Sequence, residues 1–316
     1  AKKESVDMSL VIKNMHVSYG DLEILKEISF TLEDGQIVGL VAPNGTGKTT
    51  LFNAIMRFIP ILEGEIIIDG ATYTASDKDV LALHQKITFF PDQADLFENF
   101  SGREHIKMYA QMWSGRKDEV DSIISRLRMD DYVDRNVEEY SLGMRQRLCF
   151  AMMLAADTPI MLMDEVMNGL DPENVSLVSS VLIELRKQGK IIMIASHLLD
   201  NLDEYADQVF FLKDKKLHAT NQLNEKRPLY YLIVCSKKEV ADLKQEGFLT
   251  KHSYHIDGQL LCIPLEELSE ENEIALYKRV RQLNSESIEI APLGTAEQYA
   301  LLYDLPVYSY DRGGVE

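Results

Sequence analysis

The sequence predicts an α/β chain in two domains. Residues 1–222 form a core with an antiparallel β subdomain and an inserted helical subdomain at about 94–156, and residues 223–316 form a small α+β module of ferredoxin-like order. Three observations carry this. An apolar run, Ile37–Ala42, breaks into a Gly-rich turn and continues as the helical pattern Lys48–Met56. Short apolar strands then alternate with helical segments, the arrangement that builds a parallel sheet under helices. After a composition break at Asn221–Pro228, six segments follow in the order β-α-β-β-α-β.

In chain order, Leu10–Tyr19 and Ile24–Leu32 read as paired strands joined by a turn at Gly20-Asp21, and the Ile37–Ala42 strand follows. Glu65–Gly70 is a short strand ending in an Asp-Gly turn, and Ile87–Phe90 is a strand stopped by Pro91. Arg103–Trp113, Lys117–Leu127 and Arg145–Ala155 carry apolar residues at three- and four-residue spacing, so this stretch is helical. Strands return at Ile160–Met163 and Ile191–Ala195, separated by the helix Glu173–Gln188, and Gln208–Leu212 and Leu217–Ala219 close the first domain. The second domain reads as strand Leu229–Cys235, helix Lys238–Gln245, strands Ser253–Ile256 and Leu260–Pro264 around Asp257-Gly258, helix Glu271–Leu283 and strand Ile288–Ala291.

Hydrophobic residues make up 46% of the 316, enough for a sizeable core. Fifty-one acidic against 33 basic residues give a net charge of −18, which disfavours nucleic acid as a partner because phosphate neutralisation needs clustered Lys and Arg. Cys149, Cys235 and Cys262 are odd in number and widely spaced, which predicts free buried thiols in a reducing compartment. No apolar run reaches the ~18–20 residues that span a bilayer, and Ala1–Asp7 lacks the apolar segment of a signal peptide. The expectation is a soluble, cytosolic chain.

The stretch Gln36–Thr50 carries the chemistry. A strand, the loop Ala42-Pro-Asn-Gly-Thr-Gly-Lys48, and a helix beginning at Lys48-Thr49-Thr50 give the context of a phosphate-binding Walker A loop. Backbone N–H groups from Gly45 to Thr49 would face a triphosphate, with the helix N-terminus adding a favourable field. Asn44, Gly45, Thr46, Gly47 and Thr50 complete the loop, Lys48 would reach the β- and γ-phosphates, and Thr49 would place its hydroxyl on Mg²⁺. The first position of the motif is Ala42 where Gly is usual.

Further on, Ser141-Leu-Gly143-Met-Arg-Gln-Arg147 precedes a helix, with Ser141 placed to cap it and Gly143 permitting close backbone approach, so a second anion site is predicted there. The strand Ile160–Met163 delivers Asp164, which would hold Mg²⁺ directly or through water, and Glu165, which would orient or deprotonate an attacking water. Asn168–Pro172 makes a tight turn into a helix, and the strand Ile191–Ala195 leads to Ser196-His197, a histidine placed to contact the γ-phosphate.

These motifs, in this order over roughly residues 8–220, resemble the nucleotide-binding subunit of ABC transporters. Ala42–Thr49 is similar to the family's Walker A, Ser141–Met144 to its signature, Met161–Glu165 to its Walker B, Gly169–Asp171 to its D-loop and His197 to its switch histidine. The resemblance implies a P-loop ATPase fold, ATP and Mg²⁺ as cofactors, Tyr19 stacking on adenine, and Glu165 with His197 at the reaction centre. It also implies head-to-tail pairing, as a homodimer or a heterodimer with a second ATPase subunit, each ATP being clasped by one chain's Walker motifs and the partner's Ser141 and Gly143. Departures are the Leu142 and Met144 of the signature, Val166–Asn168 after Glu165, and Pro91-Asp92-Gln93, where Asp92 or Gln93 stands at the metal-contacting Q-loop position.

The S-x-G-M-x-Q-R signature, the segment Phe97–Glu104 and the C-terminal extension resemble the exporter branch that serves drugs, antimicrobial peptides and sodium. That implies a separate membrane permease and a position on the inner face of the cell membrane through it. Basic permease loops would suit an acidic partner. A non-hydrolysing regulatory half of a mixed dimer and a soluble ABC ATPase without a permease are the alternatives. In the extension, His252 and His255 lack a third ligand for a metal, and Tyr299, Tyr303, Tyr308 and Tyr310 are candidates for a contact face.

Overall fold

The structure is a computed structural model describing residues 8–113, 117–219, 228–256, 258–283, 288–303 and 307–309. The chain divides into two compact units, Ala1–Thr220 and Asn221–Glu316.

The first unit opens with β1 (Ser9–Tyr19) and β2 (Leu22–Glu33), an antiparallel pair closed by a turn at Gly20. Along β1 the buried side chains are Leu10, Ile12, Met15 and Val17. The odd step from 12 to 15 coincides with a register shift, and a bulge of this kind restores the apolar face after an extra residue. Then come β3 (Ile37–Val41), α1 (Lys48–Ile55), β4 (Glu63–Ile68), β5 (Ala71–Tyr73), α2 (Asp77–His84) and β6 (Ile87–Phe89). The antiparallel sheet runs β2-β1-β4-β5.

The helical region holds α3 (Gly102–Met112), α4 (Val120–Arg126) and α5 (Leu142–Ala156). Helix α5 begins three residues before the expected Arg145, because the Ser141 hydroxyl accepts from the Met144 N–H and starts the helix inside the signature turn. The core resumes with β7 (Ile160–Asp164), α6 (Pro172–Lys187), β8 (Ile191–Ala195), α7 (Leu199–Tyr205), β9 (Gln208–Lys213) and β10 (Lys216–Ala219). The second sheet runs β10-β9-β3-β8-β7-β6, and every pair from β9 to β6 is parallel. All residues of β3 and β8 are buried, as expected of central parallel strands covered on both faces. Parallel pairing also brings the carboxyl ends of β3, β6, β7 and β8 to one edge of the sheet, where open α/β folds bind ligands. Among the described residues no helix is long and apolar enough to cross a membrane.

The second unit contains β11 (Leu229–Val234), α8 (Lys237–Gln245), β12 (Tyr254–Ile256), β13 (Leu260–Pro264), α9 (Glu270–Val280), β14 (Ile288–Pro292), α10 (Thr295–Leu302) and β15 (Val307–Ser309). Its antiparallel sheet has the order β14-β11-β13-β12-β15, the ferredoxin-like order with one strand added at an edge. Tyr231, Ile233, Leu261 and Ile263 pack with Val240, Leu243, Leu276 and Val280 of α8 and α9. The alternate residues Leu232 and Cys262 join a second cluster with Leu293 and Ala300 at α10. Strands β11 and β13 are thus apolar on both faces, and α10, absent from the expected element order, covers the second one.

Cys149, Cys235 and Cys262 are free and buried, with thiols pushed up by burial to about 12, 11 and 12, which makes them poor nucleophiles. His252 pairs with Glu267 and His255 is buried in β12, and among the described residues no group of three or more His, Cys, Asp or Glu side chains is placed to hold a metal ion. Of the four tyrosines, Tyr299 and Tyr303 tilt against each other with ring centroids 4.5 Å apart. The Tyr308 side chain and all of Tyr310 lie outside the described residues.

Candidate functional site

The loop between β3 and α1 is shaped by its glycines and its lysine. Gly47 caps α1 with φ +114°, and a Cβ there would lie 3.0 Å from Ile24 Cγ2. The left-handed backbone favours glycine, and an added Cβ would press on the side chains of Ile24 and Leu25 in β2. Gly45, φ +78°, is exposed with Asn44 on the crest of the loop. The Thr46 hydroxyl donates to Pro43 O at 2.8 Å and stiffens the turn. Ala42 is buried and is not among the residues with left-handed backbone, so its methyl group imposes no backbone strain on the loop. What this position supplies is its carbonyl oxygen, which accepts from Lys48 Nζ at 2.8 Å.

Lys48 is 6% exposed and Thr50 is half-buried beside it in the first turn of α1. Burial holds the Lys48 ammonium below the usual lysine range, while the Glu165 and Asp164 carboxylates oppose that effect. Thr49 Oγ1 donates to Asp164 Oδ2 at 2.6 Å, which joins the start of α1 to the end of β7. Asp164 titrates above the usual aspartate range because it is desolvated. The Thr49 hydrogen bond works the other way, and neighbouring Glu165 adds to the rise.

The folded chain holds a proton on Asp164 more readily than the unfolded chain, so stability falls as pH rises through the carboxylate range, and the full cost is present above the raised pKa. Asp164→Asn is therefore expected to raise the Tm of the first unit at pH 7. The gain should shrink towards acid pH, and calorimetry at several pH values checks both.

Glu165 follows immediately with φ +53°, an uncommon conformation for a residue with a side chain, held by its N–H donating to Ala195 O at 3.0 Å. Its carboxylate lies 2.7 Å from His197 Nε2 at the end of β8, and it accepts a second hydrogen bond from Asn168 Nδ2. Glu165 and His197 are each a little over one-third exposed, open to a reactant yet fixed by partners.

Between these strand ends and the loop after β6 lies a cavity of about 590 Å³, lined by Thr49, Asp92, Gln93, Gln146, Asp164, Glu165, Asn168 and Phe89–Pro91. Asp92 caps a single 3-10 turn, Gln93–Asp95, by accepting from the Ala94 N–H at 2.9 Å. Gln93 instead donates to Gln146 Oε1, and Gln146 Nε2 donates to Glu165 O at 3.0 Å and Val166 O at 2.8 Å. Sequence reasoning assigned no role to Gln146 or Asn168. The signal available for Gln146 was its place in the S-x-G-M-x-Q-R pattern, between Arg145 and Arg147 at the start of α5.

The donor set suits Mg²⁺. Thr49 and Asp164 offer a hydroxyl and a desolvated carboxylate, hard oxygen ligands in the small number that Mg²⁺ takes from protein when water and phosphate complete its shell.

The signature residues stand outside this cavity. Ser141 and Gly143 do not line it. Their turn lies against the one at Gly169, where a Cβ would come 2.8 Å from Leu142 Cδ2, and Leu142 itself is 63% exposed. Asp171 caps α6 by accepting from the Asn174 N–H at 2.9 Å. Tyr19 is 52% exposed at the end of β1.

Residues 25–168 match the sequence model of the family described as ABC transporter. The chain is 27% identical over 279 residues to an uncharacterized ABC transporter ATP-binding protein, YhcH, of Bacillus subtilis, covering 86% of this chain and 89% of the relative. That alignment is longer than the first unit, so it reaches into the second. The lantibiotic transport ATP-binding protein SrtF of Streptococcus pyogenes is 27% identical over 208 residues, covering 66% of this chain and 88% of the relative. Among solved structures, cbiO1 of Clostridium perfringens, part of the ABC transporter complex cbiONQ, superimposes with a TM-score of 0.61 at 26% identity, over 68% of this chain and 89% of that one.

Proposed function

Because this chain carries an ABC transporter ATP-binding domain, an ATP-hydrolysing domain, we propose that it is the motor subunit of an ABC exporter, dimerising on ATP to drive a separate membrane permease. One observation carries the catalytic half of the proposal. Parallel pairing sets Thr49, Asp164, Glu165 and His197 at one sheet edge, with Thr49 Oγ1 2.6 Å from Asp164 and the Glu165 carboxylate 2.7 Å from His197 Nε2. Lys48 lies close enough to feel both carboxylates.

In this reading the backbone of Gly45–Thr49 and the Lys48 ammonium bind the phosphates of ATP. Thr49 and Asp164 would hold Mg²⁺, which would supply neutralisation of phosphate charge when bound. Glu165 accepts the proton of the attacking water. His197 and Asn168 fix the Glu165 carboxylate from two sides, and His197 also reaches the γ-phosphate. Tyr19, exposed at the end of β1, stacks on adenine. Ser141 and Gly143, exposed or half-buried outside the cavity, are available to the nucleotide of a second subunit.

The exporter assignment draws support from the lantibiotic transporter relative and from a C-terminal region that YhcH shares in part. A peripheral place on the inner face of the membrane follows from a separate permease. The intact Glu165–His197 pair favours a hydrolysing subunit over a regulatory half.

Sedimentation of the full chain with Mg-ATP, with ADP and without nucleotide tests the ATP-driven step. The expected result is a dimer with Mg-ATP and a monomer otherwise. A monomer under all three conditions, with hydrolysis also blocked by chelation of Mg²⁺, would remove pairing on ATP from the mechanism.

A further inference from the structure

Helix α9 carries an exposed stripe along one flank. Glu270, Ile274, Tyr277 and Arg281 follow in steps of four, three and four, the spacing of a single helical face. Leu276 and Val280 face the sheet instead, and Arg279 turns the other way to pair with Glu246 at the end of α8, at 2.8 Å. On the stripe, Ile274 is 58% and Tyr277 48% exposed, with Glu270 and Arg281 exposed at its two ends. The Arg281 guanidinium stands over the Tyr277 ring, 6.0 Å from its centre. The apolar surface continues onto β14, which among the described residues is the outermost strand of its sheet. Ile290, 49% exposed, pairs with Tyr231, and the Tyr231 hydroxyl donates to Glu273 at 2.7 Å. Directly paired residues share a face of the sheet, so Ile290 lies on the α9 side of this open edge.

We propose that this flank is a self-association surface, which takes α9 and the β14 edge of a second copy of this chain across a two-fold axis. The stripe is complementary to itself when two copies run antiparallel. The pairs 270/281 and 274/277 share one midpoint, so Glu270 meets Arg281 of the second copy and Ile274 meets its Tyr277. A two-fold contact requires this match, because the same patch must fit its own rotated image. An acidic first turn and a basic last turn also suit the helix dipole, but the dipole gives no reason for an exposed Ile and Tyr between them. A lipid surface fits worse, since Glu270, Glu271 and Glu289 flank the apolar residues and a negatively charged leaflet repels them. Three apolar side chains per copy fall short of the roughly 1,200 Å² of a stable interface, so the contact alone leaves the chain monomeric at micromolar concentration. It matters where two chains are already held together, at an effective concentration of about millimolar.

The test is sedimentation equilibrium of the full chain without nucleotide, from about 10 µM to about 1 mM, so its outcome does not depend on the ATP reading. The wild type should pass from monomer to dimer with a Kd on the order of 0.1–1 mM. Glu270→Lys and Arg281→Glu should each stay monomeric at concentrations where the wild type is half dimeric, because each sets two pairs of like charges face to face. Ile274→Asp should do the same by placing a charge in the apolar middle. All three positions are exposed, so the fold is not at stake.

The decisive arm mixes the two charge variants. A Glu270→Lys chain facing an Arg281→Glu chain recovers opposite charges at both ends, so the mixture should form dimer to within about twofold of the wild-type amount. Residues 270 and 281 are about 16 Å apart along one helix, so nothing within a single chain accounts for that rescue. A wild type that stays monomeric up to the highest concentration would overturn the proposal. So would a dimer that survives Ile274→Asp and both charge reversals, which would place the contact elsewhere. A mixture no more associated than either variant alone would overturn the antiparallel two-fold pairing.

Discussion

Glu165→Gln is expected to lower ATP turnover about 10²–10⁴-fold while leaving ATP bound, the usual size of a lost general base. The substitution preserves shape. Gln fits the same left-handed backbone at φ +53°, and its amide oxygen can still accept from Asn168. What it loses is the ability to take a proton from water, and with it the carboxylate that lies 2.7 Å from His197 Nε2. Because Lys48, Thr49 and Asp164 are untouched, ATP affinity should stay within about threefold of wild type, since only interactions specific to the transition state are removed. Phosphate release in a single turnover, with equilibrium ATP binding on the same preparation, separates the two effects. Near-full turnover would remove Glu165 from its role as base.

Lys48→Met is expected to fail at the other end, weakening ATP binding about 10²-fold through the loss of charge-assisted hydrogen bonds to phosphate. Stability should change little. The variant removes a desolvated ammonium, which favours folding, and strands the Ala42 and Pro43 carbonyls that Lys48 bonds at 2.8 and 3.4 Å, which opposes it. A Tm within roughly 2 °C of wild type together with the affinity loss would place the effect in the site. An ATP Kd within about threefold of wild type would contradict phosphate binding by Lys48. Lys48→Arg is not a conservative control, because a planar guanidinium does not fit a pocket built for a compact ammonium.

Much of the fold is legible because its signals are local. The all-apolar runs Ile37–Val41 and Ile191–Ala195 are buried on both faces, and composition alone marks such strands. The elements that escape are those whose reason lies elsewhere in the chain. Helix α2 buries only Leu83, so it has no stripe to read. Helix α10 exists because β11 and β13 are apolar on both faces. That signal sits in Leu229–Val234 and Leu260–Pro264, some thirty or more residues before the helix it requires.

The site divides in the same way. Its loop glycines, Lys48 and the Asp164-Glu165 pair announce themselves by spacing within a strand–loop–helix context. The partnerships do not. Gln93 meets Gln146 across 53 residues, and Gln146 meets Glu165 across 19, separations at which no local pattern announces a contact. Asn168 is similarly silent as a departure from a motif and becomes meaningful as the second hold on Glu165.

To learn whether this chain is the motor of a separate permease, the chain is tagged, membranes of its native host are solubilised in mild detergent, and what co-purifies in stoichiometric amount is identified by mass spectrometry. The expected result is a multi-span membrane protein at a fixed ratio to this chain, alone or with a second ATPase subunit. Recovery of the chain only from the soluble fraction, with no membrane protein attached, would contradict the claim and point to an ABC ATPase that works without a permease.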